Sequence, residues 1–149
     1  CGCPGTQVRS IERQETSQHE SRGPLTSELR QWPTQLHLVP PSAPYLGKAH
    51  LLIAADCAPF AYADFHRDFI KGRVLVNACP KLDDTSPYLQ KLVELIETNR
   101  PKSITVARMT VPCCGGLSRL VEQAVEPAGV DVPVRTVMIG LDGEVVLES

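Results

Sequence analysis

The sequence predicts a three-layer α/β domain built on a mostly parallel sheet, and three observations predict it. Apolar runs recur at Leu51 to Ala55, Arg73 to Ala78 and Ser103 to Met109, nearly unbroken, as in strands covered on both faces. Stretches with helical spacing follow each run, so strand and helix alternate. The chain closes on two short β-type runs, Val134 to Gly140 and Glu144 to Leu147, joined through Asp142-Gly143, a dipeptide that favours a hairpin turn. The class is Rossmann-like or flavodoxin-like, with the C-terminal β-hairpin at one margin of the sheet.

A length of 149 residues suits one domain and is enough to bury a core without disulfide staples. Residues 1–24 form a polar N-terminal segment carrying Cys1 and Cys3. Residues 25–149 form the α/β domain. The start lacks methionine and falls on a cysteine inside what reads as a motif, so a longer parent polypeptide is expected. A net charge of −2 and a pI near 6.1 leave no basic footprint for nucleic acid. No apolar run is long enough to cross a bilayer, and Cys1-Gly2-Cys3-Pro4-Gly5 has no apolar h-region. The expectation is a cytoplasmic chain with neither a nucleic-acid nor a membrane partner; its oligomeric state stays open.

Taken in order, Thr6 to Gly23 is almost devoid of large apolar residues and reads as a mobile or partner-ordered segment. Leu25 to Gln31 predicts a short helix ending before Trp32-Pro33, because the residue before proline avoids the α region. Gln35 to Val39 predicts a strand, broken by Pro40-Pro41-Ser42-Ala43-Pro44. After Leu51 to Ala55, the spacing of Phe60, Tyr62, Ala63, Phe65 and Phe69 predicts one helix over 59–70, with Gly72 at its left-handed C′ position. Arg73 to Ala78 leads to a helix over 87–98, with Ser86 as N-cap, Pro87 in the first turn and a buried stripe of Leu89, Leu92, Val93 and Ile96. Ser103 to Met109 leads to a helix over 117–126 that stops at Pro127 and Gly129.

Three cysteine segments stand where these strands end: Asp56-Cys57-Ala58-Pro59, Ala78-Cys79-Pro80 and Pro112-Cys113-Cys114-Gly115-Gly116. Carboxyl ends of neighbouring strands share one edge of an open α/β sheet, and ligands bind along it. Six cysteines without an export signal favour metal ligation or thiol chemistry over disulfides. Soft thiolates suit zinc, copper or an iron–sulfur cluster, and a cluster takes four cysteines that the fold brings together. Cys57, Cys79 and Cys113 are the natural first three. The fourth is Cys3, carried in by the polar segment, or Cys114. Cys3-Pro4 and Cys79-Pro80 repeat the Cys-Pro dipeptide that closes a bacterial ferredoxin ligand run. Gly115 and Gly116 would let backbone N–H groups approach sulfur at a helix N-terminus.

Bland alternatives accompany each residue. A strand-end cysteine can simply pack as a small apolar residue. His19, His37, His50 and His66 read as structural or solvated, and the aromatic group Phe60, Tyr62, Phe65 and Phe69 as core; the charges of Lys81-Leu82-Asp83-Asp84 could meet a phosphate or a metal, but the segment reads first as a solvated loop leading into a helix cap. No Gly-x-Gly-x-x-Gly or phosphate-loop pattern follows any strand.

Four segments, Ser27 to Val39, Ala54 to Ala61, Ala78 to Asp84 and Val111 to Leu117, together with Cys3-Pro4-Gly5, resemble the carboxyl-terminal region of a family of anaerobe ferredoxin-like iron–sulfur oxidoreductases. The resemblance spans about Ser27 to Glu148. It implies electron transfer with an iron–sulfur centre and no named substrate. In that family an amino-terminal pair of ferredoxin-type motifs precedes this region, and here no Cys-x-x-Cys-x-x-Cys run exists.

The expected function is thus an electron-transfer domain whose cysteines hold an iron–sulfur cluster, 4Fe-4S foremost, and exchange electrons with a redox partner protein or an upstream ferredoxin-type domain. Two other readings stay open: a structural zinc module, and a thiol-redox protein using Cys113 and Cys114 at a helix N-terminus that lowers a thiol pKa.

Overall fold

The structure, a computed structural model, describes residues 24–149. Cys1, Cys3, His19 and the segment Thr6 to Gly23 lie outside the described residues. Five strands form one sheet in the order β2-β1-β3-β4-β5: β1 (His50–Ala55), β2 (Val74–Ala78), β3 (Ser103–Met109), β4 (Val134–Ile139) and β5 (Val145–Glu148). The first four are parallel, and β5 returns antiparallel to β4. The expected α/β class with its C-terminal hairpin is what the chain adopts, and Gly143, at φ 91°, supplies the left-handed turn residue.

Strand order decides where the connections lie. The chain steps one way from β1 to β2, then the opposite way from β2 to β3 and from β3 to β4. Right-handed crossovers therefore put the first connection on one face and the next two on the other. Accordingly α2 (Tyr88–Asn99) and α3 (Gly115–Ala128) pack against each other, with α3 on β3. The core between the layers includes Leu52, Ile53, Val106, Leu92, Ile96, Leu117 and Val121, all fully buried.

Several elements depart from expectation. Leu25 to Gln31 forms no helix; its polar groups are drawn outward, the Glu28 N–H to His66 Nδ1 at 3.1 Å and the Gln31 side-chain amide to the Leu75 carbonyl at 2.6 Å. Gln35 to Val39 is a turn with one bridge, Gln35 to Asn77. Leu36 and Val39 are buried while Leu38 is 65% exposed, a three-residue spacing rather than the alternation of a strand.

The helix expected over 59–70 is interrupted. A short α1 (Ala58–Ala61) and a π-type turn (His66–Ile70) flank Tyr62, whose extended backbone lets its ring meet Phe69 edge-on at 5.1 Å and its hydroxyl donate to Asp68 at 2.8 Å. Phe65 stacks on Phe69 at 4.9 Å, and Phe60 points to solvent, 93% exposed, instead of joining the core.

Of the two long helices, α2 lies one residue later than expected and α3 runs two residues further at each end. Ser86 turns its hydroxyl to Asp84, so Pro87 holds the N-cap position of α2. The buried face of α2 is Tyr88, Leu92, Leu95, Ile96 and Asn99, with Leu89 outside it. Pro127 sits inside the last turn of α3, and the helix ends only at Gly129, φ 63°.

Candidate thiol site at the sheet edge

The order reverses between β1 and β3, which leave their connections on opposite faces of the sheet. Such a switch point opens a crevice beyond the carboxyl ends of the two strands. β1 delivers Asp56 and Cys57 there, and β3 delivers the turn Pro112–Cys114. β2, beside β1, delivers Cys79. Together Cys57, Cys79, Cys113 and Cys114 line one cavity of about 130 Å³, walled by Ala55, Asp56, Pro80, Met109, Val111 and Leu141. All four are free thiols: Cys57 is exposed, Cys79 and Cys113 are half-buried, and Cys114 is buried.

Hydrogen bonds tie the Cys57 turn to the end of β2 and close the Cys79 and Cys113 turns internally. The Asp56 N–H donates to the Ala78 carbonyl at 3.1 Å, and the Asn77 side-chain amide donates to Asp56 Oδ1 at 2.6 Å, locking the Cys57 turn to the end of β2. The Cys79 N–H donates to Asp83 Oδ2 at 3.0 Å. Gly116, in the first turn of α3, approaches Pro80 so closely that a Cβ there would stand 3.2 Å from the proline ring. The Gly115 N–H donates to the Pro112 carbonyl.

The thiols sense one another. Burial raises the Cys57 pKa above its ordinary value, and Cys79, Asp56 and Cys113 add to the rise. Burial also pushes Cys114 up to about 11; a hydrogen bond from the Met109 main chain opposes this, while Cys113 and Cys57 reinforce it. A thiol pKa lowered by the α3 N-terminus is the expectation from sequence; at Cys114 the shift runs the other way, because burial raises it. At Cys57 and Cys114 both burial and the neighbouring cysteines favour the protonated thiol. A cationic centre reverses that balance and releases the protons.

Among the described residues no three His, Cys, Asp or Glu side chains are compact enough to hold one metal ion. A tetrahedral zinc draws its sulfurs to about 2.3 Å from the metal.

Three residues at the site escape a reading from sequence, Asn77, Tyr88 and Leu141, and Asp83, read there as part of a solvated loop, instead accepts the Cys79 N–H. Asn77 leaves a signal, since it is the polar residue in the apolar run Val74 to Ala78. Three histidines lie away from the cavity lining: His37 lies against Tyr88 at 4.6 Å, His50 bonds Ser103 at 2.8 Å, and His66 accepts from the Glu28 N–H. Of the two candidates for a fourth donor, Cys3 lies outside the described residues, and Cys114 is the fourth cysteine at the cavity.

A family model described as a Rossmann-like domain matches residues 43–149. An uncharacterized protein of Archaeoglobus fulgidus (strain ATCC 49558 / DSM 4304 / JCM 9628 / NBRC 100126 / VC-16) is 32% identical over 118 residues, which cover 79% of this chain and 83% of the relative. No solved structure matches significantly. These findings overturn the resemblance to ferredoxin-like iron–sulfur oxidoreductases: the matched family is defined by its Rossmann-like fold, and the relative carries no iron–sulfur description. No helix among the described residues is long and apolar enough to cross a membrane.

Proposed function

We propose, given that this chain belongs to the Rossmann-like domain family, that its sheet edge serves as an electron-transfer site in which Cys57, Cys79, Cys113 and Cys114 bind an iron–sulfur cluster. One observation carries the reading: three separate strand-end turns deliver four free thiols to a single cavity at the switch point of the sheet. Apolar walls from Ala55, Met109, Val111 and Leu141 suit a soft, weakly hydrated centre. When bound, the cluster supplies reversible one-electron transfer.

The chain's own residues do the rest. Asp56, Asn77 and Asp83 hold the turns at fixed separations before any metal arrives. Cys114 and the apolar walls limit water at the inner side, and Cys57 opens the outer side to a redox partner protein. Four free thiols with no disulfide among them agree with a reducing cytoplasm.

Anaerobic reconstitution of the full chain with iron and sulfide, followed by an iron count and electron paramagnetic resonance of the reduced protein, tests this. The expected outcome is retained iron and sulfide with a cluster signal, lost in Cys57→Ser, Cys79→Ser and Cys113→Ser. A colourless protein retaining neither element overturns it.

A further inference from the structure

In sequence, Lys81-Leu82-Asp83-Asp84 looks like a solvated approach to a helix. The fold turns Asp83 inward. Its main-chain N–H donates to the Cys79 carbonyl at 2.9 Å, while its carboxylate Oδ2 accepts the Cys79 N–H at 3.0 Å. The turn from Cys79 to Asp83 is therefore closed twice, once through the main chain and once through the side chain. The same Oδ2 accepts the hydroxyl of Tyr88. Tyr88 is fully buried in the first turn of α2, its ring 4.6 Å from His37. A rigid helix thus anchors the carboxylate, and the carboxylate anchors the cysteine turn.

Two physical effects follow, and they are separable. Both hydrogen bonds restrict where the Cys79 side chain can go, which lowers the entropy lost when sulfur is bound. Separately, the engaged Cys79 N–H cannot donate to sulfur, and the carboxylate adds negative charge beside it. Donors to sulfur and net charge around a cluster both act on its reduction potential.

We propose that Asp83 is a positioning residue for Cys79: its carboxylate, held by Tyr88, fixes the thiol toward the shared cavity and biases any bound cluster toward a lower potential. The positioning half stands on the geometry alone; the potential half rests on the iron–sulfur reading above.

The test uses the full chain as wild type, Asp83→Asn, Asp83→Ala and Tyr88→Phe. In metal-free protein, alkylation is followed at each cysteine by peptide mapping. Asp83→Ala should speed the reaction at Cys79 while leaving Cys57 unchanged, with a smaller acceleration in Tyr88→Phe, and Asp83→Asn, whose amide oxygen can still accept the N–H, should match wild type. In reconstituted protein, Asp83→Ala should bind iron about 10- to 100-fold more weakly, the usual cost of losing an outer partner. Asp83→Asn should load normally and show a raised midpoint potential, a readout that a purely structural role would not move.

Wild-type alkylation at Cys79 in both Asp83→Ala and Tyr88→Phe overturns the positioning role. An unchanged potential in loaded Asp83→Asn overturns the electrostatic half. Wild-type protein that takes up no iron defeats the proposed function instead, and the alkylation contrast still decides whether Asp83 positions Cys79.

Discussion

Cys114 sets two local forces against each other. It stands as N-cap of α3, where the helix favours a thiolate, and it is buried, which favours the thiol. Burial prevails and its pKa rises from 9.0 to about 11. The folded chain therefore holds this proton more tightly than the unfolded chain does. The corresponding stability is complete below pH 9 and disappears as pH climbs towards about 11. Unfolding midpoints of metal-free protein should accordingly fall over that range by more in wild type than in Cys114→Ala. Alkylation of Cys114 in folded protein should still be accelerating beyond pH 9. A rate that levels off near the pH of an ordinary thiol would show that burial does not govern this residue.

The start of α3 offers a pair of adjacent glycines with different surroundings. A Cβ on Gly115 would meet only the mobile end of Arg119 at 3.4 Å, whereas one on Gly116 would press on Pro80, 3.2 Å away, inside the Cys79 turn. Gly115→Ala should leave metal loading intact and gain up to about 1 kcal/mol from helix propensity. Gly116→Ala has the same propensity gain but must move Pro80, so loading should drop while helix content, read by circular dichroism, does not. Equal loading in the two variants would remove Gly116 from the site's architecture.

The same elements show what a sequence can reveal. The strands of the sheet were readable because buried parallel strands need unbroken apolar runs, and the glycine at 143 marked the hairpin. The cysteine turns were readable because they follow those runs directly. The break at Tyr62 was not, since it depends on a ring contact with Phe69 and a hydroxyl bond to Asp68 that compete with helical spacing. The inward turn of Asp83 was hidden for a similar reason: a carboxylate in a charged stretch looks solvated until Tyr88 from the next helix captures it.

For the molecule as a unit, a destabilising core change should lower the folded fraction without altering how much metal each folded chain holds. Leu92 is fully buried in α2, away from the cavity lining. Leu92→Ala should cost about 2–5 kcal/mol in urea unfolding through the void it leaves, with the iron stoichiometry of the folded fraction unchanged. Conversely, a centre that binds only the folded chain adds to its stability, so removing metal with a chelator should lower the thermal midpoint of reconstituted protein. An identical midpoint before and after removal would mean that the centre is held equally well by unfolded chain.

The sheet's two margins differ in kind. Along β2, Thr34 and Leu36 pair with both main-chain groups of Asn77, and the Gln31 amide covers the Leu75 carbonyl. That side is sealed by the polypeptide's own upstream stretch. At the far side, among the described residues, the ladder ends at β5, with Val145, Val146 and Leu147 exposed. Among the described residues the open edge of the ladder is therefore the Val145–Glu148 border, and a strand added there would extend the sheet away from Cys57 and Cys79.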